Sequence, residues 1–431
     1  MTHTLYLCYF GVREPLVQTQ VLPYLRELAA GGLRVSLLTF EPRLNERWNE
    51  ETITTTRAEL QRQGISWHLL PYHKRPSLPA TLYDIWCGAK FAHTLAQREN
   101  VNVLHARAHI AAAMGALAKL GLGKDRLKLV FDIRGFLPEE YTDAGIWPEN
   151  GRLYRGVKRV ERRLLAASDA FVVLTNKARE ILFADGKDAR PVEVIPCCVD
   201  WQRFHQPQSG SREARRRALG FEGRRVLVYV GSFDGWYLSE EMLDFYAQAH
   251  RRDPRSFTLI LTQRDVEQVR SRLSAKGIPA EDTLVTSVAP AEVAEYLYAA
   301  DVALSFIKPC YSKQSSSPTK IAEYLAAGLP VISNAGIGDL DELIRGERVG
   351  AILQGFTPEA YARALSEIEA MGDAETVRAH CRQVAREHFD LQTVGGPRYR
   401  RLYERLLNGI GTATGRERAG ALPDAPYRSR Y

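Results

Sequence analysis

The sequence predicts an α/β protein made of two parallel, helix-covered units that face each other across a cleft. Three observations carry this reading. Short apolar runs alternate with stretches of helical periodicity through the first half of the chain, the pattern of a parallel sheet with helices on both faces. The alternation breaks over Asp200–Gly223, a polar, Arg-rich stretch containing QPQSGS, and then restarts. The length of 431 residues fits two domains of the usual size.

In the first unit, Thr4–Phe10, Leu33–Phe40, Ile65–Pro71, Val101–His105, Leu127–Ile133, Ala170–Leu174 and Val192–Pro196 read as strands. Helical patterns fall between them, at Thr19–Ala30, Leu82–Arg98, Ile110–Leu120 and Leu153–Ala167. In the second unit the strands are Arg225–Gly231, Phe257–Leu261, Thr283–Thr286, Asp301–Phe306, Leu329–Ser333 and Val349–Ile352. Residues Ala374–His388 and Leu391–Leu407 read as closing helices, and the tail from Gly409 is polar, glycine-rich and aperiodic, a composition that resists order. The expected division is a Rossmann-like domain at 1–198, a linker at 199–223, a second Rossmann-like domain at 224–390, a last helix at 391–408 and a disordered tail at 409–431. Ligands of such sheets bind beyond the carboxyl ends of the strands, so both units should offer loops to one cleft.

Composition narrows the class. Hydrophobic residues make up 45% and charged residues 25%, values of a globular chain. No run of about 18 apolar residues exists to span a bilayer. The N-terminus MTHTLYLCYFGVREP has no basic leader or small-residue cleavage site, which points to a cytoplasmic protein. The six cysteines are scattered apart from Cys197–Cys198, and no CxxC pair offers a metal or disulfide framework. The net charge of +7 suits an anionic substrate or an anionic membrane surface. No nucleic-acid motif accompanies it.

The most informative stretch is SSSPTKIAEYLAAGLPVISN, Ser315–Asn334. Ser317 and Pro318 open a helix that starts near Thr319, Gly328 stops it, and a buried strand follows. Backbone N–H groups at such a helix start lack partners and face an anion favourably. Lys320 stands in the first turn, where a cation opposes the helix dipole unless an anion is present. Glu323 lies one turn on, within reach of a ribose hydroxyl. The same pattern is also that of an ordinary loop–helix–strand unit.

Other strand-end loops carry candidates. GSFDGW offers Gly231, Ser232, Gly235 and Trp236, with glycines that let backbone N–H groups approach phosphate. GVREPLVQTQ offers Arg13 and Glu14, read either as an acceptor contact or as a loop salt bridge. HARAHIAAAMG places His105, Arg107 and His109 at a strand end, expected to face the cleft. FDIRGFLPEE contributes Asp132, Arg134, Glu139 and Glu140, with Arg134 suited to bidentate bonding. The segment Arg152–Ser168 is a basic amphipathic helix. Its stripe of Leu153, Val157, Val160 and Leu164 is expected to pack on the sheet, leaving a basic face for solvent or for anionic lipid headgroups.

Five segments together resemble the family-4 retaining glycosyltransferases. They are SPTKIAEYLAAGLPVI, FDIRGFLPEEY, LYRGVKRVERRLLAASDAFVVLT, VIPCCVDWQRF and VYVGSFDGWYLSEEML, in the family's order over Thr4–Asp390. The resemblance implies the two-domain glycosyltransferase-B fold, a nucleotide-diphosphate sugar as co-substrate with no cofactor or metal, and a last helix that crosses back to the N-terminal domain. It implies donor binding by Gly231, Ser232, Gly235, Trp236, Ser317, Pro318, Thr319, Lys320 and Glu323. Catalysis is expected from Lys320, Arg134 and His109, and acceptor contacts from Arg13, Glu14, Arg107 and Glu139. The chain departs from the pattern in three places. The loop after the first strand has Gly11 without a second glycine, GSFDGW lacks the usual arginine and following lysine, and Ser315 stands where a first glutamate is usual. The expected activity is sugar transfer to a glycan, lipid-linked or small-molecule acceptor with retention. The alternatives are a nucleotide-sugar epimerase of the same fold, or a binding protein without turnover.

Overall fold

The computed structural model describes residues 2–122, 126–183, 188–204, 211–263 and 265–408; the expected tail at 409–431 lies outside them. The first sheet contains β1 (His3–Leu7), β2 (Arg34–Pro42), β3 (Ile65–Tyr72), β4 (Val103–Arg107), β5 (Lys128–Asp132), β6 (Ala170–Val173) and β7 (Val192–Val194). The second contains β8 (Arg225–Val230), β9 (Ser256–Leu261), β10 (Thr283–Thr286), β11 (Val302–Ser305), β12 (Val331–Asn334) and β13 (Gly350–Leu353). Their orders are β3-β2-β1-β4-β5-β6-β7 and β10-β9-β8-β11-β12-β13, parallel throughout. Each order reverses once, between β1 and β4 and between β8 and β11. The crevices at these reversals are where such sheets take ligands.

Every strand expected from the apolar runs is present, because a parallel strand buried on both faces needs continuous apolar sequence. Two cores flank the first sheet. One packs Leu5, Leu7 and Phe131 against helices Ser77–Glu99, Ala108–Ala118 and Arg152–Ala167. The other packs Tyr6, Val35 and Val130 against helices Leu22–Ala30 and Gly396–Asn408. The last helix thus lies on the N-terminal sheet, entered through a π-turn at Leu391–Gly395.

Three expectations change. The helix predicted at Thr19–Ala30 is two helices, Pro15–Gln20 and Leu22–Ala30, broken at Val21. The polar stretch at 199–223 contains a helix, Ser211–Ala218, whose Arg212 and Arg216 both bond the Asp301 carboxylate. Arg212 and Arg216 thereby dock the helix on the second unit, while Arg217 is exposed. The stripe of helix 152–167 does not pack as a unit: Leu153 is 58% and Val160 45% exposed. The buried side holds Glu161 and Leu164 instead, because Glu161 pairs with His109 and Lys158 inside the layer.

The two units are joined by specific contacts. Asp339 accepts from the backbone of Asn176 (2.7 Å) and Asp143 accepts from the backbone of Ser312 (2.8 Å). Lys177 pairs with Glu342 at 3.2 Å.

Candidate active site

The helix Thr319–Ala326 is built as its sequence requires. Pro318 occupies the N-cap with φ −67°, and Gly328 ends the unit at φ +82°. The hydroxyl of Tyr324 accepts from the backbone N–H of Val230 (2.8 Å), tying the helix to the end of β8. That bond sets Lys320 against the Gly231 loop. A Cβ on Gly231 would stand 2.8 Å from Lys320 Nζ. The ammonium is buried and has no hydrogen-bond partner among the described residues. It rests on the rings of Tyr229 and Tyr237, 4.2 and 4.0 Å from their centroids. Cation–π contact offsets part of its lost hydration. Burial still lowers its pKa from the usual lysine range to about 7, against the pull of Glu323. Lys320 is therefore a buried cation at a helix start with no acceptor among the described residues.

The other residues expected on the donor side take the following places. Ser232 accepts from Tyr229 Oη through its carbonyl (2.6 Å), and Asp234 and Gly235 turn the loop at φ +65° and +67°. The Trp236 carbonyl accepts from Lys308 N–H (2.9 Å). Ser317 Oγ accepts from the backbone N–H of Cys197 (3.1 Å), linking the helix-start loop to the connector between the units. Glu323 is mostly buried and pairs with Arg203 at 3.4 Å. Burial raises its pKa and Arg203 opposes this.

The N-terminal candidates divide. Arg134 and Arg107 enter a buried network around Asp132. Arg134 Nη1 lies 3.4 Å from Asp132 Oδ1, Arg107 Nη1 3.9 Å from Oδ2, and Arg134 Nη2 3.4 Å from Cys197 Sγ. Burial works against the Asp132 charge, but Arg134, His105 and Arg107 outweigh it and hold the carboxylate ionised well below its usual range. His105 is buried, kept neutral by desolvation, and bonds Tyr403 Oη at 2.7 Å, facing the last helix rather than the cleft. Two guanidiniums share one carboxylate, and Arg107 Nη1 and Arg134 Nε have no hydrogen-bond partners among the described residues.

His109 lies in a separate layer. Its Nε2 bonds Glu161 Oε2 (3.1 Å) and its ring meets Phe131 edge-on, so the structure does not bring it to Lys320. Glu139 accepts from Tyr154 Oη (3.0 Å) and pairs with Lys158 (3.0 Å) on the same side. Arg13 stacks on Trp48 at 3.8 Å and donates to the Arg47 carbonyl, and Glu14 caps helix Pro15–Gln20 through its backbone. Arg13 also lines an open cavity of about 180 Å³ with Gln18, Arg26 and Glu59.

Sequence reasoning missed four groups. Arg203 pairs with Glu323 across 120 positions. Lys313 sits over the Trp236 ring at 3.8 Å and 3.5 Å from Glu140, supplying a cation to a loop that has none of its own. Lys308 donates to the Asp143 carbonyl at 3.0 Å. Glu41, buried at the end of β2, accepts from Val12 N–H (2.8 Å) and Thr39 Oγ1 (2.6 Å). A Cβ on Gly11 would meet Glu41 Oε2 at 2.8 Å and Pro42 Cδ at 2.9 Å, which favours glycine at that position. The signal for Glu41 was a lone acid closing the apolar run SLLTF. The vicinal Cys197–Cys198 are buried free thiols, and burial pushes Cys198 up to about 12, which makes it inert. Among the described residues no cluster of three His, Cys, Asp or Glu could hold a metal, and no helix is long and apolar enough to cross a membrane.

Two parallel α/β units, with helix 319–326 tied to the end of β8, have the glycosyltransferase-B architecture. Residues 17–198 match the Glycosyl transferase 4-like domain and residues 224–370 match Glycosyl transferases group 1, and the chain belongs to the family-4 glycosyltransferases. It is 25% identical over 370 residues to the D-inositol 3-phosphate glycosyltransferase of Salinispora tropica, covering 79% of this chain and 74% of the relative. Three solved structures share the fold. A glycosyltransferase from Rickettsia africae superposes with TM-score 0.70 at 15% identity, over 94% of this chain and 98% of that one. Anabaena HepE in complex with UDP gives TM-score 0.66 at 16% identity, over 94% and 100%. Sucrose-phosphate synthase from Thermosynechococcus elongatus gives 0.69 at 15%, over 95% and 100%.

Proposed function

We propose that this glycosyltransferase transfers a sugar from a nucleoside-diphosphate sugar to a glycan, lipid-linked or small-molecule acceptor, retaining anomeric configuration and using no metal. The observation that carries the reading is Lys320: a buried ammonium without an acceptor, beside Gly231 and at the start of helix 319–326. A leaving diphosphate would receive charge from Lys320 and from the helix N–H groups, stabilisation of the kind usually largest in such reactions. Glu323, with Arg203 steadying it, would hold the ribose. Lys313 and Lys308 add positive charge around Trp236 where the loop itself lacks it. Retention follows if the leaving phosphate takes the acceptor proton on the same face, so no second carboxylate is required.

On the acceptor side, Arg107 and Arg134 carry one more positive charge than Asp132 neutralises, which favours an anionic acceptor group. The basic face of helix 152–167, with Arg155, Arg159 and Arg162 exposed, supports a cytoplasmic protein held against an anionic membrane surface. The test is turnover. UDP-, GDP- and ADP-sugars are offered with an acceptor extract, with chelator present, and the product anomer is read by NMR. Inverted product, chelator-abolished transfer or an epimerised donor would each refute a named part of the proposal.

A further inference from the structure

Four large apolar side chains on helix 77–99 lie together in solvent: Leu78 (63% exposed), Leu82 (57%), Tyr83 (52%) and Trp86 (55%). Leu78, Leu82 and Trp86 recur at four-residue spacing and so share one helix face. Tyr83 and Trp86 touch, with centroids 6.1 Å apart, and Lys90 Nζ lies 5.3 Å from the Trp86 ring. Lys74 and Arg75, exposed just before the helix, flank the patch. Between Pro71 and Phe91 the sequence has one acid, Asp84. It is fully buried, accepting from Tyr9 Oη (2.7 Å) and from the His73 backbone (3.0 Å). The segment 71–91 therefore presents apolar and aromatic surface with cations and no exposed carboxylate of its own.

A second helix on the same sheet face, separated from this one by helix 108–118, repeats the pattern. Helix 152–167 also has one acid, Glu161, and that acid is buried against His109 and Lys158. Both helices pack into the same core on the same face of the first sheet. In a parallel sheet the covering helices run against the strands, so the first halves of both lie at the strand carboxyl ends, the edge that opens to the cleft.

We propose that this face docks on an anionic lipid bilayer, with Leu78, Leu82, Tyr83 and Trp86 seated at the headgroup–acyl boundary and Lys74, Arg75, Lys90 and the arginines of helix 152–167 on headgroup phosphates. Aromatic rings prefer that depth, and apolar insertion combined with cation–phosphate attraction is the arrangement of interfacial helices. The charge pattern selects lipid over a second copy of this basic chain, whose own matching face would repel it. The inference extends the basic-helix reading above by adding an inserted element that salt does not screen. It brings the cleft mouth to the membrane, where an acceptor carried on lipid is available.

The full chain is sedimented with phosphatidylcholine vesicles and with vesicles mixed with phosphatidylglycerol, at low and high salt. Three proteins are compared: wild type, Leu82→Glu/Trp86→Glu and Arg155→Glu/Arg159→Glu/Arg162→Glu. Wild type should bind the anionic vesicles only. The Leu82/Trp86 variant should lose ~10-fold or more of that affinity with unchanged melting temperature and nucleotide affinity. Wild type that fails to bind overturns both the insertion and the basic-helix reading. Binding that survives in the Leu82/Trp86 variant but disappears in the arginine variant overturns the insertion alone. A wild-type dimer that Leu82→Glu/Trp86→Glu converts to monomer shows a second copy on this face and also overturns it.

Discussion

Lys320 Nζ and Gly231 are set so close that a side chain on the glycine would have to displace the ammonium: a Cβ there would lie 2.8 Å from it, on a backbone at φ +142°. Gly231→Ala should therefore act twice. It strains a backbone region that L-residues rarely adopt, a cost of ~1–3 kcal/mol. It also pushes the lysine off the rings of Tyr229 and Tyr237. A lower melting temperature with weakened nucleoside-diphosphate binding is expected. Unchanged affinity in calorimetry would separate the loop from the site.

Lys320→Ala should cost activity more than stability. The ammonium is desolvated and opposes the helix dipole, so the unliganded protein should melt at the same temperature or slightly higher. With donor bound, loss of one preorganised charge partner should slow transfer by ~100- to 1,000-fold, about 2.7–4 kcal/mol. Paired melting and rate measurements decide. A near-normal rate would shift the role to Lys313 or Lys308.

The same lysine predicts how binding varies with pH. Its folded pKa, about 7, lies below the unfolded value near 10.5. Between these values the unfolded chain holds a proton that the free folded protein does not, so the lysine's destabilising effect is full below pH 7 and is relieved as pH rises. A bound diphosphate favours the ammonium and reverses this. Nucleotide affinity should then fall above pH 7, by up to tenfold per pH unit, with proton uptake on binding. Calorimetry in two buffers of different ionisation enthalpy measures that uptake. Zero uptake at pH 8 contradicts it.

Glu323 is tested through the ligand. If it accepts from ribose hydroxyls, Glu323→Ala should cost ~1.5–3 kcal/mol in nucleotide affinity. A dideoxy nucleotide should cost wild type a similar amount and the variant almost nothing more. Additive losses would mean that the carboxylate serves Arg203, its partner at 3.4 Å, and not the sugar.

The fold was legible because its signal is local. Runs such as Val302–Ser305 and Val331–Asn334 are buried on both faces and need no partner to be recognised. The start and stop of helix 319–326 were legible for the same reason, from Pro318 and Gly328. What escaped was fixed by distance in sequence. Arg203 meets Glu323, Tyr403 meets His105 and Lys313 meets Trp236 only after both sheets form, and no periodicity records such pairs. Helix 152–167 failed differently. Its arginines do share one outward face, but the buried Glu161–His109 contact turns the inward side toward Glu161 and Leu164, which leaves Leu153 and Val160 exposed at the edge of the apolar stripe.

Asp132 carries the last prediction. It is fully buried, and Arg134, His105 and Arg107 hold it ionised while Tyr399 Oη approaches Oδ2 at 3.4 Å. Asp132→Asn keeps the shape but strands two buried guanidiniums without a counter-charge. Removing one partner of a buried pair typically costs ~3–5 kcal/mol, and the melting temperature at pH 7 should fall accordingly. The sign with pH follows from the depressed folded pKa. The carboxylate's contribution is complete above the unfolded value near 3.8 and is lost as pH falls toward the lower folded value. Wild type should therefore lose stability on acidification below about pH 4 more steeply than Asp132→Asn, and the two melting curves should converge. Because this network lies under the last helix and not at Lys320, nucleotide affinity of the folded variant should be unchanged. A variant as stable as wild type at pH 7 would mean that Arg107 and Arg134 are compensated by other groups.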